Sequence, residues 1–165
     1  MAVIGHYIGG KAVTTSGRSA PVFDPSTGAQ SGEVLLASTA TVGEAVDAAA
    51  KAFAAWADTP PLTRARILFK FKALLERDID ALAAAITAEH GKTFEDAKGE
   101  VTRGIEVVEF ACGIPHLMRG DFTEQVARGV DVFSARHPVG VVAGITPFNF
   151  PAMVPMWMFP VALAC

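Results

Sequence analysis

The sequence predicts an α/β fold in which a turn-rich β segment and four helices precede a strand, a short turn and another helix. Three observations indicate this order. Short β-prone pieces alternate with glycine and proline up to about Leu36, and apolar residues recur at helical spacing from Thr41 to Cys112. A valine-rich run over 139–145 then leads into a turn bounded by prolines. With 165 residues, of which 51% are hydrophobic, one domain is the upper bound.

Charge and cysteine content exclude several classes of function. The net charge is −3 with scattered acidic and basic residues, so we expect neither a nucleic-acid partner nor a membrane-surface partner. Cys112 and Cys165 lack CxxC or Cys/His spacing, which argues against a disulfide framework and a metal site. No targeting segment is evident, so the expected location is the reducing cytoplasm. The apolar run 145–165 has the length of a membrane span, but its four prolines favour a buried segment.

The N-terminal half is predicted to contain hairpins followed by two helices. A Thr41–Glu44 capping box is expected to start the first helix, which ends near Asp58. Pro60 and Pro61 separate it from a second helix. The basic residues of that second helix are expected on its solvent-exposed face; they are Arg64, Arg66, Lys70, Lys72 and Arg77.

Two more helices are predicted before the next turn-rich stretch. The third ends at Gly91, a residue suited to a left-handed position, and the fourth opens with Thr93 and Asp96. The main apolar stripe of the fourth helix is Ala97, Val101, Gly104, Ile105, Val108, Ala111 and Cys112. A second stripe contains Val107, Phe110, Ile114 and also Arg103. We therefore expect this helix to be covered on two sides, with an arginine on one of them.

The C-terminal part is predicted to contain two strands and a helix. Residues 126–137, VARGVDVFSARH, are interpreted as an extended strand, and 139–145 as a strand buried on both faces of a parallel sheet. The turn TPFN and a helix beginning near Pro151 complete a βα unit, whose strand end is where ligands bind in open α/β sheets. Asn149 lies in this turn. Its carboxamide could stabilise a developing oxyanion, or it could simply cap the helix.

The chain resembles the aldehyde dehydrogenase superfamily. The segment GVVAGITPFNFP is similar to its strand and asparagine turn, and FDPSTG, AVDAAAKAFAAW, RARIL and EHGKT are similar to its N-terminal landmarks. PFNFPAMVPMWMFPVALAC and RGIEVVEFACG resemble the CoA-acylating methylmalonate-semialdehyde dehydrogenase subgroup. The resemblance implies an N-terminal part of an NAD-binding domain over 1–120 and a bridging or oligomerisation strand over 121–137. Residues 138–165 would then be the first βα unit of a Rossmann-type fold, truncated.

The resemblance also implies roles for four residues. Asn149 would donate to the oxyanion as a catalytic residue, and Thr146 and Phe148 would contact NAD. Arg103 would bind the carboxylate of a semialdehyde substrate, in agreement with an arginine on a covered helix side. From spacing alone, an ion pair between Arg103 and Glu100 or Glu106 is the alternative.

The implied activity is oxidation of a semialdehyde to an acyl-CoA through a cysteine thioester, with NAD and coenzyme A, loss of carbon dioxide and a homotetrameric enzyme. Neither Cys112 nor Cys165 matches the family's nucleophile, and both are expected to be buried structural thiols. We therefore expect an N-terminal fragment that is inactive by itself. The alternatives are a non-acylating aldehyde dehydrogenase, or a truncated, non-catalytic assembly module whose strand 126–137 pairs with another subunit.

Overall fold

Seven strands and six helices follow one another along residues 2–165, the part of the chain that the computed structural model describes. In chain order they are β1 (Ala2–Ile4), β2 (His6–Ile8), β3 (Lys11–Val13), β4 (Ser19–Phe23), β5 (Gln30–Leu35), α1 (Thr39–Ala57), α2 (Pro61–Arg77), α3 (Ile79–His90), α4 (Phe94–Cys112), α5 (Ile114–Leu117), β6 (Phe122–Ala127), β7 (Val130–Phe133) and α6 (Met153–Ala164).

The N-terminal strands form a small sheet and a separate hairpin. The sheet has the order β1-β5-β4, with β1 parallel and β4 antiparallel to β5. Strands β2 and β3 pair as a hairpin whose turn residues, Gly9 and Gly10, have φ of 59° and 78°. These left-handed angles are available to glycine without steric cost. The paired strands and the turns between them confirm the hairpins and turns predicted for this segment.

Helix α1 begins earlier than its predicted capping box. Ser38 is the N-cap, and its Oγ accepts a hydrogen bond from the N–H of Thr41 at 3.1 Å. Thr41 therefore lies inside the first turn, and the predicted start at Thr41 was wrong because Ser38 supplies the cap three residues earlier. The predicted end is confirmed, since Asp58 is the C-cap.

The junction between α3 and α4 agrees with the sequence. Gly91 follows α3 with a φ of 84°, in the left-handed region expected of it. Thr93 caps α4, with its Oγ1 accepting from the N–H of Asp96 at 3.2 Å. Both predicted signals are confirmed, and they fix where Lys92, the residue between them, enters the structure.

Helix α4 is central to the core because it packs against α2, α3 and α6. Its main predicted stripe is buried throughout: Ala97, Val101, Gly104, Ile105, Val108, Ala111 and Cys112. At Gly104 the helices α4 and α6 approach closely, and a Cβ added there would collide with the Met156 side chain and lie 3.4 Å from the Cα of Met153. The start of α6 is thus held directly against α4.

Residues 126–137 do not form the single strand that was predicted. Strands β6 and β7 pair antiparallel as a hairpin, and Gly129 at the turn has a φ of 76°. The prediction of one strand was wrong because the chain reverses direction at Arg128-Gly129, which brings Ala127 opposite Val130. Every residue of both strands is exposed.

Residues 139–145 also differ from expectation. They form no hydrogen-bonded strand within residues 2–165, and Val139 and Ile145 are 91% and 92% exposed. The prediction of burial on both faces was wrong for the described chain because none of its strands lies beside this run to pair with it. The following helix starts at Met153, two residues after Pro151, which agrees with the predicted start near Pro151.

Helix α6 spans 12 residues. Among residues 2–165, no helix combines the length and the apolar character that crossing a membrane would require.

Candidate active site at the Asn149 turn

Asn149 lies in the exposed turn that joins the run 139–145 to α6. The hydrogen bond that the structure gives it is made by its backbone carbonyl, which accepts from Lys92 Nζ at 3.0 Å. The N-cap of α6 is Ala152, without a side-chain capping bond. The capping alternative for Asn149 is therefore not what the structure contains, and its carboxamide is left at the surface of the turn.

Lys92 reaches the turn from the α3–α4 junction. Besides its bond to Asn149, its Nζ lies 2.6 Å from Glu100 Oε2 and 4.4 Å from the centroid of the Phe150 ring. The ammonium thus has a carboxylate, a carbonyl oxygen and an aromatic face around it, and it can interact favourably with each of them.

Glu100 is fully buried, with 0% of its surface exposed, and it faces the start of α6. Its Oε1 accepts hydrogen bonds from the backbone N–H groups of Ala152 at 2.8 Å and Met153 at 3.1 Å. The first N–H groups of a helix have no partner within the helix, and a negative charge suits this end of its dipole. A carboxylate on α4 therefore does for α6 what an N-cap side chain would otherwise do.

The pKa of Glu100 reflects this environment. Burial acts to raise the pKa, but the hydrogen bonds from Lys92, Ala152 and Met153 together outweigh it and leave the pKa below its ordinary value. Glu100 is consequently charged at neutral pH, and it pairs with Lys92 as an ion pair between the α3–α4 junction and the start of α6.

Arg103 lies one helical turn after Glu100 on α4 and is exposed. Its guanidinium carbon is 5.9 Å from the centroid of the Phe150 ring, so the structure brings it to the same turn as Asn149. Within the described residues it forms no ion pair with Glu100, which binds Lys92, or with Glu106. The local ion-pair alternative for Arg103 is therefore absent.

The second covered side predicted for α4 was wrong. On that side, Phe110 is 56% exposed and Arg103 is also exposed. Ile114 is the buried member of the set. The reason is that α2, α3 and α6 cover the other side of the helix, and no element of residues 2–165 lies over Phe110.

The two predicted cofactor contacts, Thr146 and Phe148, are exposed beside Asn149. Phe148 is 85% exposed, and one side of its ring stacks on His90 with centroids 6.4 Å apart. The turn thus presents an aromatic surface, a hydroxyl and a carboxamide within four consecutive positions.

The thiols have different environments. Cys112 is buried, as predicted, and burial raises its pKa, which makes it a poor nucleophile. Cys165 is exposed, so the prediction of burial was wrong for it. No group of three or more histidine, cysteine, aspartate or glutamate residues in 2–165 is arranged to hold a metal ion.

The sequence analysis missed Lys92 and Glu100 as components of the site. A signal for Glu100 was available: on a wheel of 100° per residue it falls beside Gly104 and Ala111 on the apolar stripe of α4. A charged residue on a buried stripe requires a partner. Lys92 carried no comparable signal, because it lies between two helices.

The model of the aldehyde dehydrogenase family matches residues 12–165. The chain belongs to this family, and its α/β fold is confirmed by solved structures of the family.

Within the family, the chain is similar to dehydrogenases of malonate and methylmalonate semialdehyde. The chain is 52% identical over 165 residues, 100% of its length, to the malonate-semialdehyde dehydrogenase of Pseudomonas aeruginosa, and covers 33% of that protein. It is 46% identical over 161 residues, 97% of its length, to methylmalonate-semialdehyde dehydrogenase [acylating], mitochondrial, of Arabidopsis thaliana, covering 26% of it. Among solved structures, the putative methylmalonate-semialdehyde dehydrogenase from Sinorhizobium meliloti 1021, complexed with NAD, superposes with a TM-score of 0.97 at 52% identity. The match covers 100% of this chain and 34% of the other. The chain thus spans between about a quarter and a third of the length of these relatives.

Proposed function

We propose that the protein is an NAD-dependent, CoA-acylating dehydrogenase of malonate or methylmalonate semialdehyde, of which residues 1–165 form the N-terminal part. The observation that carries the proposal is the Asn149 turn. Its backbone is held by Lys92, while Asn149 is an exposed residue whose side chain does not cap α6. The relatives named for this substrate class, one of them as acylating, support the same assignment.

The chemistry assigned to Asn149 is stabilisation of negative charge. A cysteine thiolate outside residues 1–165 attacks the aldehyde carbon, and the carbonyl oxygen becomes an oxyanion that the Asn149 amide N–H stabilises. The carbon then loses hydride, for which NAD supplies the acceptor, and becomes a thioester. The substrate carboxylate leaves as carbon dioxide, and the α carbon keeps the electron pair of the broken C–C bond and takes up a proton. The thiolate of CoA then attacks the thioester carbonyl carbon, and the cysteine leaves as a thiolate.

Thr146 and Phe148 are proposed to contact NAD. Phe148 offers exposed apolar surface that a nicotinamide ring could cover, and His90 lies nearly parallel to its ring with centroids 6.4 Å apart. Both residues adjoin the proposed oxyanion donor, which fits a cofactor that must lie near the reacting carbon.

Arg103 is proposed to bind the substrate carboxylate. It is exposed, it has no ion pair within residues 2–165, and its guanidinium borders Phe150, the residue after Asn149. A guanidinium with this freedom can bind a carboxylate through two parallel hydrogen bonds. Such a contact would select semialdehydes over simple aldehydes.

The predicted domain divisions, 1–120, 121–137 and 138–165, a homotetramer and a cytoplasmic location belong to the same proposal. The exposed hairpin β6–β7, with Phe122 66% and Phe133 77% exposed, offers apolar surface for contacts between subunits. The free thiols Cys112 and Cys165 suit a reducing compartment.

The test uses the protein expressed from its complete reading frame. Malonate and methylmalonate semialdehyde are supplied with NAD, with and without CoA, while NADH absorbance and acyl products are followed. Formation of acyl-CoA supports the proposal. NADH formed with release of the free acid would favour the non-acylating alternative. A reading frame ending at Cys165, or a lack of NADH with both substrates, contradicts the proposal.

A further inference from the structure

The ion pair of Lys92 and Glu100 contacts the backbone at Asn149 and again at Ala152 and Met153, where α6 begins. We propose that Lys92 and Glu100 are positioning residues that fix the geometry of the Asn149 turn. This inference rests on the proposed role of Asn149 as oxyanion donor, and neither residue is assigned any contact with substrate.

The contacts fasten the segment 149–153 at its two ends. Lys92 Nζ donates to the carbonyl oxygen of Asn149 at 3.0 Å, and Glu100 Oε1 accepts from the N–H groups of Ala152 and Met153 at 2.8 Å and 3.1 Å. The two side chains are joined to each other at 2.6 Å. One ion pair therefore holds the backbone of the turn at Asn149 to the start of α6.

The arrangement requires both charges. A buried carboxylate is unfavourable unless its oxygens are fully hydrogen bonded, and here Lys92 satisfies Oε2 while α6 satisfies Oε1. A glutamine at position 100 has one acceptor oxygen and an amide donor. The glutamine oxygen can accept from the α6 N–H groups or from the ammonium, but not from both. If it accepts from α6, the glutamine NH2 group faces the Lys92 ammonium, and two donors then oppose each other.

Two ion pairs of α4 provide matched controls, since their α4 members, Lys98 and Glu109, are 41% and 67% exposed. Lys98 Nζ lies 2.7 Å from Asp80 Oδ1, and Lys72 Nζ lies 3.4 Å from Glu109 Oε2. Exposed pairs of this kind contribute little to stability. Glu109→Gln and Lys98→Met therefore repeat the chemical changes of Glu100→Gln and Lys92→Met without touching the turn.

The experiment measures kcat and KM for these four variants and for Glu100→Gln/Lys92→Met in the full-length enzyme. We expect kcat to fall roughly tenfold to a hundredfold in the two test variants, because small misplacements of a catalytic group are costly, while KM for NAD changes less than about threefold. The double variant should lose no more than the poorer single variant, since both act through one arrangement. The controls should match wild type.

Hydrogen exchange, followed by mass spectrometry on peptides covering 149–157, gives a readout that does not depend on activity. Exchange should accelerate in Glu100→Gln and Lys92→Met and stay unchanged in the controls. If Glu100→Gln does not fold, Lys92→Met and Lys92→Arg test the positioning role instead. The Lys92 side chain is 13% exposed, so we expect these substitutions to be tolerated by the fold.

Unchanged exchange together with a kcat within twofold of wild type in the folded test variants would overturn the positioning role. If wild type oxidises no semialdehyde, the proposed function fails, whereas exchange at 149–157 still decides whether the ion pair holds the turn.

Discussion

Arg64 and Ala164 lie 100 positions apart in the sequence and are joined by a buried hydrogen bond, in which Arg64 Nε donates to the carbonyl oxygen of Ala164 at 3.1 Å. The same guanidinium donates to the carbonyl oxygens of Thr59 at 2.9 Å and Cys165 at 3.3 Å. With 3% of its surface exposed, Arg64 does not lie on the solvent-exposed basic face that was predicted for it. It ties the α1–α2 connection to α6.

We expect Arg64→Met to lower the free energy of unfolding by about 3 kcal/mol, because one buried and two partly buried carbonyl groups lose a charged donor at once. Arg66→Met, on the exposed face of the same helix, should change it by less than about 0.5 kcal/mol. Thermal and denaturant unfolding of the full-length protein would measure both. Equal effects of the two substitutions would show that the hydrogen bonds of Arg64 contribute nothing specific.

Asn149→Ala should lower kcat of the full-length enzyme by roughly a hundredfold to a thousandfold, the effect of removing one oxyanion donor. The stability should change little, because the structure gives Asn149 a hydrogen bond through its backbone carbonyl, which the substitution keeps. Steady-state kinetics alongside thermal unfolding would separate the two quantities. A turnover within a few-fold of wild type would remove Asn149 from the mechanism.

Arg103→Leu should raise KM for semialdehydes that carry a carboxylate and leave propanal oxidation nearly unchanged. The expected rise corresponds to loss of a charge-assisted bond, about 1.5 to 3 kcal/mol. Kinetics with paired substrates would measure it, and Arg119→Leu, another exposed arginine, serves as the control. If both aldehydes were affected to the same extent, Arg103 would have a structural role instead.

The stability of the protein should depend on the charge of Glu100. Its pKa is lowered in the folded protein, so its contribution is fully present above the ordinary value of 4.5 and is lost as pH falls through the lowered value. The difference in melting temperature between wild type and Glu100→Gln should therefore be largest near neutral pH and shrink in acid. A difference that stayed constant with pH would mean that Glu100 is not stabilised as a carboxylate.

The parts of the fold that the sequence predicted are those set by local signals. The buried stripe of α4 follows from helical periodicity, and the Gly91 and Thr93 signals act within a few residues of themselves. The Asn149 turn was located in the same way, by a proline-bounded break between two apolar runs.

The parts that could not be predicted depend on contacts between distant positions. Glu100 and Arg64 satisfy backbone groups 52 and 100 positions away, and in a one-dimensional pattern they look like surface charges. Each does fall on the buried stripe of its own helix, Arg64 with Leu68 and Leu75, and a helical wheel would have marked them as charges that need partners. Their actual partners required the tertiary structure.

The exposed run 139–145 has a practical consequence for a preparation of residues 1–165. Its backbone N–H and C=O groups are engaged by no strand of residues 2–165, and Val139, Val142 and Ile145 are exposed along it. Such an open β-prone run favours intermolecular pairing and aggregation. We therefore expect a preparation limited to residues 1–165 to aggregate through contacts of this run. Lysine substitutions at positions 139 and 145 should reduce that aggregation, because charges in a β-prone segment oppose intermolecular pairing.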